Sequence, residues 1–223
     1  MCFSAEASFT SAVLLTVVGY ATVTESSRKD LKALAIVPLL FALQQFGEGV
    51  LWLTIANGGN PAWLQEIFKW VFLFFAIVFW PVWMPVATIV AEKSPKRRRL
   101  MGIALLAGTL FVASQFIALF MPGSSVEVNV VGSSIQYTPS FQYPQNIYKI
   151  LQWFYVFAAI SPFFFSSLRL MWLYAIANAA TFIVAYLYYT QTFSSVWCFY
   201  AAVVSALLFL VIRRNREKSP HSI

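Results

Sequence analysis

Charge is scarce in this chain of 223 residues: Asp, Glu, Lys and Arg make up 10% of it, where a soluble domain carries roughly a quarter. Histidine occurs once, as His221, and cysteine twice, as Cys2 and Cys198. Each shortage excludes something. With 60% of its residues apolar, a soluble fold of this length could not hide its apolar surface, and no polar stretch is long enough to form a catalytic domain alone. A single histidine near the C-terminal end cannot furnish an intramembrane zinc hydrolase of the ceramidase or adiponectin-receptor kind, nor the Ser and His pair of a rhomboid-type protease. Two cysteines exclude a disulfide-rich secreted domain. Glycine-rich nucleotide motifs are absent as well, and neither a cofactor nor nucleic acid is expected as a partner.

Long apolar runs are what the chain has instead. Seven can be marked: Ala7 to Val23, Ala33 to Asn57, Ile67 to Ala91, Leu100 to Met121, Ile147 to Ser167, Leu170 to Thr190 and Phe193 to Ile212. About 20 apolar residues are needed for a helix to cross the hydrocarbon of a bilayer. The expected fold is therefore an all-α bundle of seven transmembrane helices, one domain over residues 1–212 with a tail over 213–223. The first run is not a signal peptide, because no basic residue precedes it; the first is Arg28. The seventh has no lysine, so it cannot carry a retinal Schiff base.

Basic residues set the expected orientation. Thirteen of the fifteen fall in alternate connections: Arg28, Lys29 and Lys32; Lys93 and Lys96 to Arg99; Arg169; and Arg213, Arg214, Arg216 and Lys218 after the last run. Basic loops stay in the cytoplasm, which places the N-terminus outside and the C-terminus inside. The same loops explain the net charge of +7 through anionic lipid headgroups. Lys69 and Lys149 fall at the outer starts of their spans and are expected to snorkel. Only the connection from Pro122 to Asn146 is long. Its alternating residues, Val126 to Val130 and Ile135 to Tyr137, flank Gly132, Ser133 and Ser134 and read as a β-hairpin on the outer side, either a plain loop or a lid.

Glu48 stands out within the second run. An acidic residue deep in a span costs roughly 2.5–3.5 kcal/mol on insertion scales, so it should face the bundle interior. Gln44 and Gln45 precede it by four and three residues, and Trp52 follows by four, which puts all of them on neighbouring parts of one helical face. Gly47 and Gly49 leave room for a close approach. Depth counting brings Gln115 and Gln152 to a similar level, so a polar pocket in the outer half is expected. The alternative is that these amides and one acid only hold helices together. Trp80-Pro81-Val82-Trp83-Met84-Pro85 in the third run bends the helix, with packing the simpler role for its tryptophans. Topology puts Cys2 and Cys198 on the outer side, where a disulfide could join them.

The opening Met1-Cys2-Phe3-Ser4-Ala5-Glu6-Ala7-Ser8-Phe9, with Pro38 to Phe41 and the stretch from Gln44 through Glu48-Gly49 to Trp52, resembles an uncharacterised family of multi-pass bacterial membrane proteins. The resemblance implies a bacterial plasma-membrane protein and brings no activity with it. Relatives often carry histidine where this chain has Gln44, a departure that argues against a metal or proton-relay role at that position.

Three functions follow from this reading. The leading one is a protein that binds or transports a small polar or cationic ligand in a pocket containing Glu48, Gln44, Gln45, Trp52, Gln115 and Gln152. A structural or signalling role is the alternative, and a lipid-modifying enzyme using Cys2 or Glu48 is third, because neither has a base or metal beside it in sequence. The topology is directly testable. Reporter fusions after Arg99 and Arg214 should read as cytoplasmic and one after Gly132 as external; a cytoplasmic signal at Gly132 would overturn the orientation.

Overall fold

The computed structural model describes residues 4–119, 121–140 and 143–216. Among them are seven helices long and apolar enough to cross a membrane: Ala5–Glu25, Lys29–Ala56, Ala62–Ala91, Pro95–Leu119, Gln145–Phe165, Met171–Tyr188 and Thr190–Asn215, here spans 1 to 7. Each overlaps the corresponding apolar run, and the boundaries differ by a few residues where polar turns were absorbed into helix ends. That is the architecture of an integral membrane protein.

Local sequence explains the irregularities. Span 2 enters through a 3-10 turn, Lys29–Leu31, and a short helix, Lys32–Ala35, before Val37–Ala56 begins with Pro38 in its first turn, where a missing N–H costs nothing. In span 3 a π-helical stretch, Phe74–Phe79, leads directly into Trp80 and Pro81. Proline removes a helical donor and crowds the preceding turn, and widening that turn is one way for the chain to pass it without breaking.

The basic connections meet at one end of the bundle. Arg28 donates to the carbonyl of Asn215 at 3.2 Å, and Arg97 donates to that of Phe165 at 2.8 Å. Glu92, just beyond span 3, accepts from the backbone N–H and hydroxyl of Ser167 at 2.6 and 2.8 Å and from the N–H of Ser94 at 2.9 Å. Burial alone would push its carboxyl up, but these donors outweigh burial and hold it below the usual carboxylate value. The largest apolar cluster lies towards this end, around Leu34, Phe41, Trp80, Phe163, Met171 and Leu208.

The opposite end carries the hairpin. Strands β1, Val126–Val131, and β2, Ser134–Pro139, pair antiparallel with Val131 opposite Ser134 and Val126 opposite Pro139. Gly132 takes a φ of 62° at the first turn position, a left-handed conformation that suits glycine and matches a tight II′ hairpin turn. Register puts Val126, Val128, Ile135 and Tyr137 on one face. That face docks on the bundle: Val126 and Ile135 are buried, and Tyr137 stacks parallel on Phe72 of span 3 at 4.5 Å. Lys69 does not snorkel as expected. It is buried, donating to Glu66 at 2.6 Å and to the carbonyl of Val126 at 3.1 Å, because the hairpin covers it and supplies the partner that headgroups would otherwise provide.

Spans 3 and 4 approach closely at Gly108, where a Cβ would lie 2.1 Å from the carbonyl oxygen of Pro81. Backbone cannot yield as a side chain can, so Gly108→Ala should destabilise the protein by about 1–3 kcal/mol through overpacking. Gly102→Ala, which meets nothing within 4 Å, should be neutral. Thermal unfolding in detergent compares the two; equal stability of both variants would contradict the close contact.

Candidate functional site

Glu48 is 2% exposed and sits where span 2 meets span 7. Ser195 of span 7 donates its hydroxyl to one carboxylate oxygen, and the Gln45 amide, one turn earlier, donates to the other at 3.4 Å. The helical spacing of Gln45 and Glu48 makes the second bond local, whereas Ser195 arrives only through packing. Beside them Gln44 accepts from Trp80 Nε1 of span 3 at 2.7 Å, and the Trp80 ring stacks on Phe41 with centroids 3.9 Å apart. Trp80 is thus both packing and a polar partner. The space left by Gly47 and Gly49 is taken by Phe68 of span 3 and Phe9 of span 1, so it serves helix packing rather than a ligand.

A cavity of about 670 Å³ lies between the hairpin and spans 3, 4, 5 and 7. Gln115 and Gln152 line it, as do Gln136, Gln145 and Gln191. Gln44, Gln45, Glu48 and Trp52 do not. The single polar cluster expected from depth counting is therefore divided: the two amides of spans 4 and 5 face the cavity, and the span 2 group lies behind its wall. The physical reason is rotational. Depth fixes how far along a helix a residue lies, but the helix's rotation about its axis, set by packing, decides which neighbour it meets.

Tyr137, Trp197 and Cys198 line the cavity, as does Ser194, the neighbour of the Ser195 that bonds Glu48. The Tyr137 phenol also lies within the field of Glu48 and Cys198. Burial, reinforced by those two groups, pushes that phenol well above its usual value, so it stays protonated and can donate. Its hydroxyl, Nε1 of Trp52, Nε1 of Trp197 and Oε1 of Gln45 are buried without a hydrogen-bond partner among the described residues. Such groups cost about 1–3 kcal/mol each when unpaired. Trp52, expected in the ligand set, packs instead against the cluster of Val156, Phe182 and Trp197.

Sequence reading missed Ser195, Tyr137 and Trp197. A serine in an apolar span gives no signal, since hydroxyls there commonly bond their own helix. Tyr137 did have one, because strand alternation put it on the face shared with Ile135. Cys198 is buried in span 7, while Cys2 lies outside the described residues, and so does His221. Among the described residues no group of three or more His, Cys, Asp or Glu could hold a metal ion.

The polar contacts predict measurable costs. Ser195→Ala leaves the Glu48 carboxylate a donor short, and Trp80→Phe leaves Gln44 with an unpaired buried acceptor. Each should lower stability by about 1–3 kcal/mol in detergent, whereas Trp63→Phe, at an exposed position, should leave it unchanged. An unaltered melting temperature for Ser195→Ala would contradict its role.

No curated protein and no solved structure matches the chain. The model of a family of unknown function (DUF6629) matches residues 1–222, and the chain belongs to that family.

Proposed function

We propose that this chain spans the plasma membrane of a bacterium with its N-terminus outside and C-terminus inside, and that its hairpin-covered cavity receives a small polar or cationic ligand for binding or transport. The observation that carries the reading is the cavity itself. At about 670 Å³ it falls within the range of small-molecule sites, and its wall mixes glutamine amides and tyrosine hydroxyls with apolar surface, as such sites do. Basic loops meeting at the end opposite the hairpin support the orientation, since they would lie against anionic headgroups on the cytoplasmic side. The hairpin then acts as an external lid, and Glu48 sets the electrostatics of the floor behind Tyr137.

A structural or signalling role is the second reading, favoured by one specific observation: Glu48 is bonded to Ser195 across two spans and does not line the cavity. Accessibility separates the two. In a Cys2→Ser, Cys198→Ala background, Gln152→Cys should react with membrane-impermeant methanethiosulfonate reagents on intact cells, and deletion of Val126 to Tyr137 should speed the reaction while the spans stay folded. Labelling only after detergent disruption would sink the ligand-site reading and leave the structural one.

A further inference from the structure

The cavity lining contains seven aromatic residues and neither a lysine, an arginine nor a carboxylate among the described residues. Anions therefore find no countercharge on the wall. Five of the aromatics, Tyr137, Tyr148, Tyr155, Phe193 and Trp197, come from the hairpin and spans 5 and 7, so aromatic side chains border the cavity on several sides. Two charges lie close behind this wall. On span 3 Lys69 is already matched by Glu66 at 2.6 Å. On span 2 Glu48 has only the neutral donors Ser195 and Gln45, and no cationic side chain pairs with it among the described residues.

An ionised carboxylate buried without a countercharge is strongly disfavoured, and neutral donors repay only part of that cost. Such a group either takes a proton or gains a cation nearby, and a cation held in the cavity would let Glu48 stay ionised. Calcium-type sites are built on carboxylate oxygens, and the lining has none among the described residues. An alkylammonium ion differs: it is held by ring faces and by a carboxylate that need not touch it. Resting on the binding reading above, we infer that the cavity takes a small organic cation of the ammonium class, with the aromatic lining as its contact surface and Glu48, bonded to Ser195 next to the lining Ser194, supplying the countercharge. In this arrangement Glu48 attracts through space, so the ligand does not need to break the bonds to Ser195 and Gln45.

The reaction at Gln152→Cys reads this charge preference directly, using the trimethylammonium and sulfonate forms of the thiol reagent on intact cells. Asn129→Cys, on the exposed face of β1, serves as the reference for intrinsic reactivity. A unit charge acting across about 10 Å at an effective dielectric of about 20 changes a rate or equilibrium on the order of tenfold. The cationic reagent should therefore be favoured at Gln152→Cys over the reference by roughly that factor, and Glu48→Gln, of equal size, should abolish the preference. Choline should protect the engineered thiol, while its uncharged isostere 3,3-dimethylbutanol should not. The protection experiment keeps Glu48 intact, so it decides the matter even if Glu48→Gln fails to assemble. Equal protection by the two compounds, or a charge preference that Glu48→Gln leaves in place, would overturn the cation inference while leaving a ligand-accessible cavity. Absence of labelling by either reagent would overturn the binding reading and this inference together.

Discussion

A carboxylate with no cationic partner among the described residues, held in the contact between the second and seventh spans, constrains the rest of the bundle. Hydrocarbon offers no hydrogen bonds, so Glu48 has to find its donors inside the protein. One comes from its own helix, Gln45, and can form wherever the helix forms. The other is Ser195, 147 residues away in sequence, and it can reach Glu48 only in the rotation that span 7 takes against span 2. That rotation turns Trp197 and Cys198 towards the cavity and brings the start of span 7 under strand β2.

Aromatic packing supplies the stiffness around this contact. Phe41 and Trp80 stack beside Gln44, Phe72 and Tyr137 stack beneath the hairpin, and Trp197 meets Tyr155, Phe182 and Phe193 within 5.4 Å. The hairpin docks through the stacked Tyr137 ring, the Lys69 bond to the Val126 carbonyl, the burial of Val126, Ser134 and Ile135, and packing of β2 on the start of span 7.

At the other end the connections are bound more firmly. Glu92 ties the turn after span 3 to the turn after span 5, and Asn215 bonds both backbone groups of Arg169 at 3.0 Å. The bundle is thus clamped where its loops are basic and only capped where its loop is a hairpin.

The sequence alone determined the number and approximate limits of the spans, because an apolar run long enough to cross hydrocarbon has few other uses. It also determined the hairpin, through period-two alternation around Gly132, and the burial of Glu48, through the cost of exposing an acid to lipid. All three are local or one-body properties. Tertiary structure decided which polar groups meet. Gln44, Gln45, Gln115 and Gln152 were all eligible by type and depth, yet only Gln45 bonds Glu48, while Gln44 bonds Trp80 and the other two line the cavity. Lys69 was eligible for headgroups, yet it serves the hairpin. Ser195 and Tyr137 gained their importance from partners in distant elements. Helix rotation and tilt arise from the summed packing of all side chains, so no window of sequence contains them.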